Sequence, residues 1–158
     1  MQQKSVYLAA PFFSDGQHTR INQVVAALQQ NPTIGEIFLP EKHPYSQEEF
    51  GSLGWQDATF RLDVNHIYQA DIVIAIADYK LEEADNEMDS GTAFEVGLAY
   101  GTHTPVAVIQ FDPKKEINLM IAQSLTTYFD LSQDHGLQKL AEYDFNVMLP
   151  QRANRPVI

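Results

Sequence analysis

The chain has 158 residues, 44% of them apolar, no cysteine and a formal net charge of −11 at pH 7. That length and apolar share suit one domain, residues 1–158, with a sizeable core; the lack of cysteine excludes disulfides and thiolate metal sites and fits a cytoplasmic protein. The acidic balance argues against nucleic-acid polymers and anionic membranes as partners, and the scattered Lys and Arg form no basic patch, Lys114-Lys115 being the only adjacent pair.

No run of about 18 apolar residues signals a membrane span, and the opening MQQKSVYLAAPFF, broken by Pro11, lacks the arrangement of a signal peptide. Residues 5–10 (SVYLAA) read as a buried strand that Pro11 ends. Ser14 or Asp15 caps a helix to about residue 30, with Ile21, Val24, Val25 and Leu28 on one face. After the turn NPTIG, residues 36–40 read as a second strand, followed by a polar loop of about 14 residues, a length often tied to function. A helix is predicted over 55–69. DIVIAIAD, 71–78, is a continuous apolar run suited to the centre of a parallel sheet. A polar acidic loop, 79–90, leads into the helix of MDSGTAFEVGLAYG. Residues 105–111 (PVAVIQF) form a fourth strand, INLMIAQS a short helical turn, LTTYFDL a fifth strand, and HGLQKLAEYDF a last helix before an irregular tail.

Strands alternating with helices predict a parallel sheet covered on both faces. Right-handed crossovers leave a five-stranded, flavodoxin-like, doubly wound α/β order 2-1-3-4-5 as the simplest topology, with ligands beyond the carboxyl ends of strands 1 and 3. Tyr7, the APFFSD loop, the acidic loop and Glu95 fall near that crevice.

Glu95 supports two readings. Thr92-Ala-Phe-Glu95 matches a capping box, in which the glutamate merely satisfies a backbone N–H. Alternatively, small residues at Gly91, Gly97 and Gly101 allow close approach, the helix start favours an ionised carboxylate, and Glu95 attacks an electrophilic carbon. Asp89 is an N-cap or an acceptor for ligand hydroxyls. Asp63 shares a helical face with Phe60 and Ile67; it is a surface aspartate, or a buried proton donor whose pKa burial raises. Tyr7 packs in the core or holds a carboxylate in place by hydrogen bonding. Phe12 and Phe13 are core residues or stack on a flat heterocycle. Asn118 caps a helical turn or donates to a hydroxyl.

Other chemistries lack support. No G-x-G-x-x-G, P-loop or G-x-S-x-G occurs, and His18, His43, His66, His103 and His135 show no metal-binding spacing. A carboxylate-rich site on an α/β sheet suits glycosidic chemistry.

SVYLAAPFFSD, Asp63 within ATFRLDVNHI, MDSGTAFEVGLA and INLMIAQS together resemble the motifs of nucleoside 2-deoxyribosyltransferases, in order, from residue 5 to about residue 146. The resemblance implies exchange of 2-deoxyribose between the nucleobases of 2′-deoxyribonucleosides and free bases, with retention, through a deoxyribosyl ester of Glu95. It implies that Asp63 moves the base proton, that Asp89 holds sugar hydroxyls and that Tyr7 orients Glu95. Asn118 matches a residue that reaches into a neighbour's site, which implies a homo-oligomer, hexamer or dimer, with shared sites. No cofactor or metal is implied. The family ends in an aromatic residue whose carboxylate helps fix the sugar, whereas Ile158 stands last here, so that contribution passes to the terminal carboxylate alone. The DSGTAFE and NLMIAQ motifs stand closer to the purine-specific branch. A hydrolase of nucleoside 5′-monophosphates, with Ser14, Ser90 and Arg20 as phosphate donors, and a non-catalytic nucleoside-binding module are the alternatives.

Overall fold

The structure, a computed structural model, describes residues 2–80, 87–112 and 114–158. Five strands, β1 (Lys4–Ala9), β2 (Ile34–Phe38), β3 (Ile72–Ile76), β4 (Val106–Gln110) and β5 (Thr127–Asp130), form one parallel sheet in the order β2-β1-β3-β4-β5. This is the predicted flavodoxin-like order. The direction of winding reverses between β1 and β3, leaving a crevice beyond their carboxyl ends.

Among the described residues, five α-helices cover the sheet: α1 (Asp15–Gln30), α2 (Leu53–Gln69), α3 (Ser90–Gly101), α4 (Leu119–Ser124) and α5 (Gly136–Glu142). Alternation along the strands assigns the two faces. Val6, Leu8, Ile72 and Ile74 pack with Ile21, Val24 and Leu28 of α1 and Leu140 of α5. Tyr7, Ala9, Val73 and Ala75 point the other way, to Ile67 of α2, Val96 and Ala99 of α3 and Ile121 of α4. Because side chains alternate every residue in a strand, Tyr7 lies on the face that α2 and α3 cover.

Local chemistry sets the ends. Ser14 caps α1 in a reciprocal box: its hydroxyl accepts from the Gln17 N–H, and the Gln17 amide oxygen accepts from the Ser14 N–H. Ser52 caps α2 by accepting from the Trp55 N–H, so that helix begins two residues before the predicted 55. The second strand begins at Ile34, because the Asn31 side chain, accepting from the Thr33 N–H at 2.9 Å, tightens the turn before it. α5 ends at Glu142, short of the predicted limit. At its start, a Cβ on Gly136 would stand 2.7 Å from the Leu131 Cα, so only glycine fits that approach. The tail is not wholly irregular: Val157 pairs in parallel with Ile117, and the Leu119 N–H donates to the Ile158 carbonyl at 2.9 Å.

Candidate active site

α3 brings the central carboxylate to the sheet. Its buried face carries Thr92, Val96 and Ala99, and Glu95 shares that face at helical spacings of three and four. The capping-box reading of Glu95 is overturned. Asp89, not Thr92, is the N-cap, with its Oδ2 accepting from the Thr92 N–H at 3.0 Å, and Glu95 is left free to turn inward. There its Oε1 accepts a 2.5 Å hydrogen bond from the hydroxyl of Tyr7, a residue with no exposed surface. Within the described residues of this chain, nothing lies within 4 Å of a Cβ built at Gly97 or Gly101.

Burial, working against the Tyr7 hydrogen bond that favours the ionised form and with the charges of Asp63 and Asp89, raises the Glu95 carboxyl to about 7. The Tyr7 hydroxyl is raised well above the usual phenol range, first by burial and then by Glu95, so it stays a donor. Asp63, on α2, is half-buried on the face of Ile67. Burial raises it to about 6, while His66 and His43 pull it down. Burial is thus the main reason both carboxyls are raised, and the charge of Asp63 adds to the rise of Glu95.

Beside this pair is an aromatic group that the sequence reading passed over. Phe38, at the end of β2, stacks on Tyr7 at 5.6 Å, on His66 at 3.6 Å and on His43 at 4.6 Å between ring centroids. The His66 Nδ1 lies 2.8 Å from the Leu62 carbonyl oxygen. The available signal was position: His66 follows Asp63 by three residues on one helix, which places both on one face.

The remaining predicted residues are less concentrated. Asn118 caps α4, its side-chain oxygen accepting from the Met120 N–H at 2.9 Å. With Ser90, Ala93, Met120 and Ile158 it lines a cavity of about 390 Å³ that Tyr7, Asp63 and Glu95 do not border. Phe12 packs against the α1 side of the core, the face opposite Tyr7. Phe13 is 68% exposed and lies against Phe12 at the start of α1. Ser14 and Arg20 are engaged, one in the α1 cap and the other donating to the Tyr79 carbonyl at 3.2 Å. Asp78, at the end of β3, braces β4 by accepting from the N–H groups of Phe111 and Asp112. The acidic loop expected near the crevice includes residues 81–86, which lie outside the described residues. Among the described residues, no three His, Asp or Glu side chains gather as a metal site would require, and no helix is long and apolar enough to cross a membrane.

The fold is that of a doubly wound α/β protein, with a carboxyl group, Glu95, turned inward and held against the sheet by Tyr7. The family model described as nucleoside 2-deoxyribosyltransferase matches residues 6–148, and the chain belongs to that family. It is 31% identical to a nucleoside deoxyribosyltransferase of Limosilactobacillus fermentum over 92% of this chain and 89% of that protein. A nucleoside deoxyribosyltransferase of Lactobacillus leichmannii is 27% identical over 92% of each. Among solved structures, a 2-deoxyribosyltransferase from the psychrotolerant bacterium Bacillus psychrosaccharolyticus superposes with a TM-score of 0.76 at 31% identity, covering 94% of this chain and 98% of that one. The protein is therefore an enzyme of the deoxyribosyltransferase type, and exchange of deoxyribose between bases is the family activity its sequence supports.

Proposed function

We propose that the exchange runs through a covalent ester on Glu95. One Glu95 oxygen attacks C1′ of a bound 2′-deoxyribonucleoside as the bond from C1′ to the base nitrogen breaks, and Asp63 gives that nitrogen its proton. An incoming base then attacks C1′ from the side the first base left, the ester bond breaks, Glu95 regains its charge and Asp63 takes up the proton the new base releases. Two inversions at one carbon give retention, and atoms and charge balance without a cofactor. The lack of an electron-withdrawing 2′-hydroxyl eases formation of the oxocarbenium-like transition state.

The observation that carries this reading is the inward Glu95, held by the buried Tyr7 hydroxyl and within the electrostatic reach of Asp63. Tyr7 serves as the positioning donor. Asp89 contributes to the sugar subsite from its place at the start of α3, and of the two phenylalanines after β1 the exposed Phe13 stays available to a base, while Phe12 packs into the core. Asn118 and Ile158, brought together by the pairing of the tail with residue 117, complete the site of a neighbouring copy. The exposed Phe60, Phe94, Tyr100 and Met120 on the α2–α4 side support such an assembly in a dimer or hexamer. Purine bases and a cytoplasmic setting remain part of this reading.

The test is incubation with deoxyinosine and adenine. Deoxyadenosine is expected; its absence from a folded preparation overturns the reading, and free deoxyribose without base exchange turns it into hydrolysis. Asp63→Asn is expected to slow transfer from deoxyinosine by roughly 10²–10⁴-fold, the usual worth of a positioned general acid, measured as initial rates of hypoxanthine release.

A further inference from the structure

We propose that His66 and His43, stacked on Phe38 beside Asp63, are positioning residues that keep the Asp63 proton mobile in both directions of base exchange. This rests on the transferase reading above. In each cycle Asp63 gives a proton to one base and takes one from another. A group that does both works best when its two forms are close in energy at the working pH. Burial alone favours the protonated form, which donates readily but recovers a proton poorly as a base. A source of positive charge beside the carboxylate offsets that bias.

The geometry supplies one. His66 lies three residues beyond Asp63 on α2, and its Nδ1 faces the Leu62 carbonyl at 2.8 Å. A carbonyl only accepts, so Nδ1 carries hydrogen and Nε2 is left as the acceptor nitrogen of the neutral ring. His43 comes from the segment after β2, beyond the 3₁₀ turn Pro40–Lys42. The two imidazoles are nearly parallel to the Phe38 ring, tilted by 16° and 9°. The same ring stacks on Tyr7, so one aromatic group fixes both the donor to Glu95 and the imidazoles on the Asp63 side. From the elements packed around Asp63, the charged and titratable groups that act within this cluster are His66 of α2, His43 of the segment after β2, Tyr7 of β1 and Glu95 of α3, with Asp89 acting on Glu95. Of these, the two histidines are the groups that carry positive charge when protonated.

The test compares pH profiles of kcat/KM for two donors in the wild type, His66→Phe and His43→Phe. Phenylalanine keeps a stacking ring and removes the charge. One donor is deoxyinosine, whose base needs a proton to leave. The other is 7-methyl-2′-deoxyguanosine, whose base is already cationic and leaves without one. For a donor, kcat/KM reports the first half-reaction alone. The expected result is a basic limb for deoxyinosine displaced to higher pH by about half a pH unit or more in each variant, further in the double variant. The profile for the methylated donor stays in place. A deoxyinosine profile that superposes on the wild type overturns the proposal, as does an equal loss on both donors at every pH, which marks a packing role. His43 is exposed, so His43→Phe carries the test even if His66→Phe does not fold. If the wild type transfers from neither donor, the transferase reading fails instead.

Discussion

Tyr7→Phe isolates the hydrogen bond that turns Glu95 inward. The substitution removes one oxygen and keeps the ring, so the stack on Phe38 at 5.6 Å and the burial of the side chain survive. What disappears is a 2.5 Å bond donated to a buried carboxylate. Hydrogen bonds to charged groups contribute about 1.5–3 kcal/mol, and each 1.4 kcal/mol is about a factor of ten in rate. Transfer near pH 7 is therefore expected to fall about 10- to 150-fold. The pH dependence gives a sharper readout. Burial raises Glu95 to about 7 and the Tyr7 bond opposes that rise; without the bond, burial acts unopposed and Glu95 ionises at higher pH. The acid limb of kcat/KM for deoxyinosine, followed by base release, should move up by about one pH unit or more, and part of the lost rate should return in alkaline buffer. A variant with an unmoved acid limb and a loss below about threefold would falsify the role given to Tyr7.

Glu95→Gln is expected to abolish exchange yet stabilise the fold. The folded carboxyl titrates near 7 against 4.5 for the ordinary group, so the native state binds the extra proton between those values. The carboxylate's contribution to stability therefore falls as pH rises from about 4.5 through about 7. Urea unfolding at pH 8 should show the glutamine variant more stable by up to about 3 kcal/mol, with the difference vanishing near pH 4. Asp89→Ala loses the α3 cap at about 1 kcal/mol and, as a sugar-binding change, should raise KM for the donor more than it lowers kcat; an unchanged KM leaves Asp89 a cap alone. Glu95→Ala and Asn118→Ala proteins, each inactive, should regain activity when mixed and reassembled. Mixtures as inactive as their components would show that no site is built from two copies.

The strand cores and the start of α1 were legible in the sequence because they depend on local pattern: continuous apolar runs for buried strands, a 3.6-residue stripe for α1, and Ser14 or Asp15 for its start; the sheet order followed from strand–helix alternation and right-handed crossovers. The identity of the carboxylates was legible as motif. Their geometry was not. Thr92-x-x-Glu95 fits a capping box as well as it fits a site, and spacing cannot choose between them; the choice was made by Asp89 taking the cap and by Tyr7, 88 residues away, offering its hydroxyl. The histidines were weighed only as metal ligands, and their stacking was hidden for the same reason. His43 and His66 are 23 residues apart and meet only because Phe38 at the end of β2 lies under both rings. Local free energies choose helix, strand and cap from neighbouring residues. A charge state depends on burial and on side chains brought together across the sheet, so it exists only once the chain has folded.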